Sequence, residues 1–235
     1  MTIEQRIADL DWDRLTDDID RQGWATTGPL LTDEERLSLT GAYDEDRLYR
    51  SRVIMARHGY GRGEYRYFAY PLPQLVQQLR TSLYERLVPL ANRWRGALGN
   101  AETFPPGHAD YLDRCHAAGQ VRPTPLILRY GEGDFNCLHQ DLYGDLNFPL
   151  QVAVLLSEPV TDFTGGELIL TEQRPRMQSR AQVVPLEAGE AVIFAVNHRP
   201  VQGTRGPYRV AMRHGVSTVQ SGHRHTLGII LHDAA

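Results

Sequence analysis

The sequence contains no lysine; all 25 of its basic residues are arginine. Arginine suits planar, two-point recognition of carboxylate and phosphate. A coding sequence rich in G and C produces the same bias, so the absence assigns no ligand by itself. Long apolar runs are missing too. Val152 to Leu156 is typical of those present, far short of the ~20 residues that a membrane-crossing helix needs, and no membrane partner is expected. The opening Met1-Thr2-Ile3-Glu4-Gln5 has neither a basic start nor an apolar stretch, so no secretory signal is expected. The two cysteines, Cys115 and Cys137, offer no metal-ligand spacing and no argument for a disulfide. The expectation is a cytoplasmic protein with two reduced thiols. Excess positive charge is also lacking. A net charge of −4 argues against whole-molecule attraction to nucleic acid, although charge can still be local.

What is present reads as an ordinary globular chain. With 235 residues, 41% hydrophobic and 23% charged, it is long enough to bury a proper core. The first half is patterned for helices. Ile3, Ile7, Leu10, Leu15 and Ile19 recur at helical spacing up to a stop at Gly23. A second helix starts at Thr32, with Glu35 completing a capping box. The longest helix is predicted from Gln74 to Leu98, after Pro71 and Pro73, with Leu75, Leu79, Leu83, Leu87, Leu90, Trp94 and Leu98 as its apolar stripe. A shorter helix covers Ala109 to Ala118.

After Pro125 the pattern changes to short β-branched or alternating segments. These are Leu126 to Tyr130, Leu150 to Leu156, Glu167 to Leu170, Gln182 to Val184, Ala191 to Phe194, Arg209 to Met212 and Thr226 to Leu231. Gly, Pro and Asp separate them, which indicates an all-β sandwich or barrel. The expected fold class is α+β, with residues 1–120 as a helical support and substrate-facing extension and residues 121–235 as the catalytic core.

Two His-x-Asp triplets occur, and two residues apart on a strand point to the same side. His108-Ala109-Asp110 follows Pro105-Pro106-Gly107 and enters a helical pattern, so His108 reads as a solvated or helix-start histidine. His139-Gln140-Asp141 instead follows a strand and a glycine-marked turn, Leu128 to Leu138. A mononuclear Fe(II) site needs two imidazoles and one carboxylate on one face of the metal. The distal imidazole is available in Arg213-His214-Gly215, with Arg224 ten positions after His214.

The run Arg129-Tyr130-Gly131 to His139-Gln140-Asp141, then Gly165-Gly166-Glu167-Leu168, then Gly189 to Phe194, then His214 to Arg224, occur in order. Together they resemble the double-stranded β-helix (jelly-roll) core of the 2-oxoglutarate/Fe(II)-dependent dioxygenases, in particular the prolyl-4-hydroxylase-like branch. The resemblance implies Fe(II) ligation by His139, Asp141 and His214. It also implies 2-oxoglutarate binding by Arg224, through paired charge-assisted hydrogen bonds, with Tyr130 as a second contact. O2 and 2-oxoglutarate would be consumed, succinate and CO2 released, and ascorbate would serve as an accessory reductant. A carboxylate at position 141 argues against halogenation and against a cupin-type metal set. A rival register remains open, because the stretch between Phe194 and His214 is long and contains His198, with Arg209 eleven positions on.

The substrate is less legible. Between Arg47 and Tyr70 stand Arg47, Arg50, Arg52, Arg57, Arg62 and Arg66 against one acid, Glu64, interleaved with Tyr49, Tyr60, Tyr65, Tyr67, Phe68 and Tyr70. Such a segment can follow a nucleic-acid backbone and stack bases, bind an acidic metabolite, or form a solvated hairpin. The whole chain also resembles a bacterial oxygenase family linked to oxidative dealkylation of damaged DNA. The Arg-x-Asn-x-x-x-Arg pattern of alkylated-DNA oxygenases is absent, however: Arg209-Val210-Ala211-Met212-Arg213 lacks the Asn. The expectation is therefore hydroxylation of an unidentified small molecule, peptide or nucleic acid. Dealkylation of damaged nucleic acid is the alternative, and a non-catalytic metal-binding barrel the second.

Overall fold

The computed structural model describes residues 1–235. The first apolar stripe is broken into two helices, α1 (Ile3–Ala8) and α2 (Trp12–Gln22). The break falls where the Asp11 side chain accepts from the Arg14 backbone N–H and starts the second helix. Gly23, at φ 88°, ends α2 as expected. Helix α3 (Asp33–Gly41) opens with the Thr32/Glu35 capping box. Helix α4 (Gln74–Ala97) buries Leu79, Leu83, Leu87, Leu90 and Trp94, and α5 (His108–Ala117) follows. No helix is long and apolar enough to cross a membrane.

The strands are β1 (Trp24–Pro29), β2 (Tyr49–Ile54), β3 (Gly61–Arg62), β4 (Glu64–Phe68), β5 (Leu126–Tyr130), β6 (Phe135–His139) and β7 (Leu150–Leu155). They continue as β8 (Phe163–Gly165), β9 (Leu168–Gln173), β10 (Arg180–Val184), β11 (Glu190–Ala195), β12 (His198–Gly203), β13 (Gly206–Val216), β14 (Val219–Gly222) and β15 (Arg224–Ile229). A seven-stranded antiparallel sheet runs β1-β11-β7-β15-β5-β4-β2. A six-stranded sheet runs β10-β9-β13-β6-β3, with β12 also paired to β13, and β14-β8 form a small third sheet. Each expected strand of the second half is present. Strands β1 to β4, from the first 120 residues, extend both sheets; of these, sequence reading had foreseen only the Arg/Tyr hairpin, as one of three options.

Strand β7 is buried along its whole length because it lies between two layers. Val152 and Val154 face the helices and join the largest core cluster, while Ala153 faces the six-stranded sheet with Leu168, Leu170, Val192 and Phe194. The helices thus back the large sheet, and the space between the sheets holds the site. Two buried ion pairs tie the layers. Arg80 of α4 meets Asp233 at 2.8 Å with both side chains fully buried, and Arg199 of β12 meets Glu172 while donating to Asp20 O at the end of α2.

Candidate metal and cosubstrate site

Strand β6 delivers His139 as its last residue, and the register of β13 sets His214 directly opposite. The strand stops there, so Asp141 comes from the turn that follows and not from the same strand face, as sequence reading had supposed. The three still converge. His139 Nε2 lies 3.5 Å from Asp141 Oδ1, His214 Nε2 lies 3.3 Å from Asp141 Oδ2, and all ligand atoms fall within 4.8 Å of one another. His139 Nδ1–H donates to Cys137 O at 2.8 Å, which leaves the Nε2 lone pair for a metal. Each oxygen of Asp141 also accepts from a neighbour, Oδ1 from Tyr143 O–H at 2.7 Å and Oδ2 from Gln151 Nε2 at 2.9 Å.

Burial opposes charge on all three groups. For His139 burial lowers proton affinity, but hydrogen bonding and attraction from Asp141 outweigh it and the pKa rises. For His214 burial, reinforced by repulsion from His139, holds the pKa down. Burial raises Asp141, yet hydrogen bonds from both imidazoles carry its pKa well below the ordinary carboxylate value. The result is an ionised carboxylate beside two imidazoles on one side of a small space. This 2-His-1-carboxylate facial triad is the donor set that holds Fe(II) in oxygenases that use 2-oxoglutarate.

The triad opens on a cavity of about 480 Å³ between the two sheets. Arg224 lines the same cavity. It is buried, no carboxylate reaches it, and its Nε has no partner; one guanidinium NH donates to Thr226 Oγ1 at 2.5 Å. Burial lowers its pKa from the usual arginine value. Its planar group sits 5.8 Å from the ring centres of Tyr130 and Phe163. Gly166, at φ 64°, makes room for it, since a Cβ there would stand 3.0 Å from Arg224 Cδ. Tyr130, opposite Arg224 in the β5–β15 register, is buried and accepts from Asn136 Nδ2 at 3.3 Å.

The rival histidine does not join. His198 pairs with Ala211 on the β12–β13 hairpin and does not line the cavity, while Arg209 is exposed. His108 corrects the expectation of a solvated residue. It does start α5, but it is buried against Leu231 O at 3.0 Å, and burial pulls its pKa down to about 3. The Arg47 to Tyr70 segment forms the β2–β4 hairpin, and Tyr60 and Tyr65 line the cavity. Several of its arginines are neutralised by acids just upstream or by Glu64 within the segment. Arg66 meets Asp46 at 2.6 Å, Arg47 meets Glu45 at 2.7 Å, and Arg52 pairs with Glu64.

Sequence reasoning missed Tyr143 and Gln151. Only the position of Tyr143, two residues past Asp141, could have pointed to either. Tyr143→Phe removes one donor to the ligand carboxylate without changing shape. It is expected to weaken Fe(II) or Co(II) binding roughly 10-fold, the lower range for an outer partner of a metal ligand. Metal titration checks this, and affinity equal to wild type would show that the hydrogen bond is idle.

A family model described as "Oxygenase, catalysing oxidative methylation of damaged DNA" matches residues 63–234. Two uncharacterized proteins of Mycobacterium tuberculosis, one from each of two strains, are 49% identical over 168 residues, 72% of this chain and 72% of theirs. A Pseudomonas putida prolyl-4-hydroxylase superposes with TM-score 0.56 at 14% identity, covering 92% of this chain and 96% of that one. A 2OG-Fe(II) oxygenase-family oxidoreductase of Burkholderia pseudomallei superposes with TM-score 0.55 at 16% identity, covering 97% and 94%. At such identities these two likenesses speak for the fold.

Proposed function

Because the chain belongs to the Oxygenase-NA family, we infer that this Fe(II)- and 2-oxoglutarate-dependent dioxygenase hydroxylates alkyl groups on damaged nucleic acid. In this reading the alternating strands β5, β7, β11 and β15 against β6, β9, β10 and β13 are the two faces of a double-stranded β-helix. Its place of work is the cytoplasm.

The observation that carries the cosubstrate assignment is Arg224, a buried cation without a carboxylate, in the same cavity as the triad. Such a charge is costly unless an anion completes it. A dicarboxylate that also reaches the metal does so, with Tyr130 beside it. Iron, O2 and 2-oxoglutarate together supply the oxidation, leaving succinate, CO2 and a hydroxyl group in place of a substrate C–H bond. His139, Asp141 and His214 hold one side of the metal, and Tyr143 and Gln151 keep the carboxylate oriented. Leu126, Leu128, Phe194 and Val216 line the rest and limit access of water.

The substrate reading draws on the family description and on the cavity. Apart from Asp141 and Arg224 the lining carries no Asp, Glu, Lys or Arg, so no further charged side chain is there to pair with a substrate. Tyr60 and Tyr65 offer faces for a planar group such as an alkylated base. Hydroxylating an N-methyl carbon gives an N-hydroxymethyl group that loses formaldehyde, so chemistry at this site takes methyl groups off and does not add them. A non-catalytic barrel would have no use for the unpaired Arg224.

The test is to supply Fe(II), 2-oxoglutarate and air with N-methylated or unmethylated oligonucleotides, and to measure succinate and formaldehyde. Equal yields that depend on the methyl group are expected. Succinate that only small molecules stimulate would overturn the substrate reading and leave the chemistry intact. No consumption of 2-oxoglutarate under any condition would overturn both.

A further inference from the structure

The arginines of this chain are not spread evenly in space. Residues 1–46 carry thirteen acidic side chains against four arginines, whereas residues 168–218, strands β9 to β13 and their turns, carry seven arginines against three acids. On β9 the single carboxylate, Glu172, is buried and already held by Arg174 and Arg199. Arg176, Arg205, Arg209 and Arg213 are exposed.

Strand register places two of these on one face. His214 points into the cavity, so Arg213, Ala211 and Arg209 alternate to the opposite, outer face of the six-stranded sheet. Arg213 lies beside Thr171, and Ala211 beside Gln173 and His198, none of them acidic. On the neighbouring strand Asn136 turns inward to Tyr130, so Phe135 turns outward, and with it Arg62, its partner on β3. Arg62 is 63% exposed, and its nearest carboxylate, Asp134, is 3.9 Å away. Tyr60 and Gly59, which precede Arg62, and Leu138 of β6 line the cavity. Arg209 and Arg213, which no carboxylate meets, thus share the outer sheet face with Arg62, held at 3.9 Å by Asp134 on the strand beside the cavity mouth.

We propose that this outer face, through Arg209, Arg213 and Arg62, binds the phosphodiester backbone of the nucleic acid whose base is presented to the cavity. The proposal rests on the nucleic-acid reading of the site and moves the main backbone contact from Arg47 and Arg52 to the outer sheet face, keeping only Arg62 of the Arg47 to Tyr70 segment. Evenly repeated phosphates match spaced arginines, two of which, Arg209 and Arg213, have no carboxylate of the protein to take up their charge. Arg47 and Arg52 are engaged with Glu45 and Glu64 instead, and Arg50 donates to Pro123 O at 2.8 Å. An acidic molecule that binds a polyanion does so through a local face of this kind.

The experiment measures binding of a fluorescent single-stranded DNA oligonucleotide by anisotropy over a range of salt. It compares wild type, Arg209→Glu/Arg213→Glu and Arg47→Glu/Arg52→Glu, each checked by its circular dichroism melt. Charge reversal on the sheet is expected to weaken binding by at least about tenfold. It should also flatten the slope of log K against log salt by about two, while the hairpin variant stays near wild type. If a sheet variant fails to fold, the single substitution Arg209→Gln, at the exposed end of the strand, should lower the slope by about one. Loss confined to the hairpin variant, or no DNA binding by wild type at low salt, overturns the proposal. Binding through the sheet face without succinate formation from methylated DNA would uphold the surface and reject the substrate reading.

Discussion

Asp141→Ala will give a folded protein that retains no Fe(II) through dialysis and forms no succinate. The carboxylate is the only anionic donor in the triad, and both imidazoles lean on it at 3.5 and 3.3 Å. Without it the two histidines are neutral ligands with no negative charge to balance a dication in a buried space. The loss should exceed the roughly 10–100-fold that removing an outer partner of a ligand costs. Folding tolerates the change because the deleted group leaves Tyr143 O–H and Gln151 Nε2 without an acceptor, about 1–3 kcal/mol each, and the two imidazoles without their longer contacts at 3.5 and 3.3 Å. Metal analysis and a succinate assay decide the matter. Wild-type iron content or turnover in this variant would remove Asp141 from the site.

Arg224→Leu should show two opposite effects. The half-saturating concentration of 2-oxoglutarate should rise on the order of 10²–10³-fold, since one side of a buried, hydrogen-bonded charge pair is lost. The cofactor-free protein should meanwhile become more stable, because an uncompensated buried charge has been replaced by an apolar side chain. Added 2-oxoglutarate should raise the melting temperature of metal-loaded wild type and leave the variant nearly unmoved. A merely structural arginine would lower stability on removal. If Arg209→Leu raised the cosubstrate requirement instead, the carboxylate contact would belong to that arginine.

The parts of this site that are legible in the sequence are those governed by local rules. His139, Asp141, His214 and Arg224 could be found because an ordered motif set constrains them, although the strand alternation expected to place Asp141 does not hold there, and the structure gathers all four around one cavity. The capping box at Thr32 and the stop at Gly23 are equally local. What escaped depends on distant partners. Arg66 reads as free charge until Asp44 and Asp46 fold back on it, and His108 reads as solvated until Leu231 covers it. Strand β1 pairs with β11 across more than 160 residues, and nothing in Trp24 to Pro29 announces it. Gln151 reads as one polar residue in an apolar strand, and only the turn carrying Asp141 gives it a partner.

The most direct test of the central claim is anaerobic addition of 2-oxoglutarate to Fe(II)-loaded protein, observed by visible absorption. Wild type should develop the weak metal-to-ligand charge-transfer band of the chelated cosubstrate. His198→Ala should develop it too, and His214→Ala should not. Absence of the band in wild type, or its loss in His198→Ala with retention in His214→Ala, would contradict the site as built here.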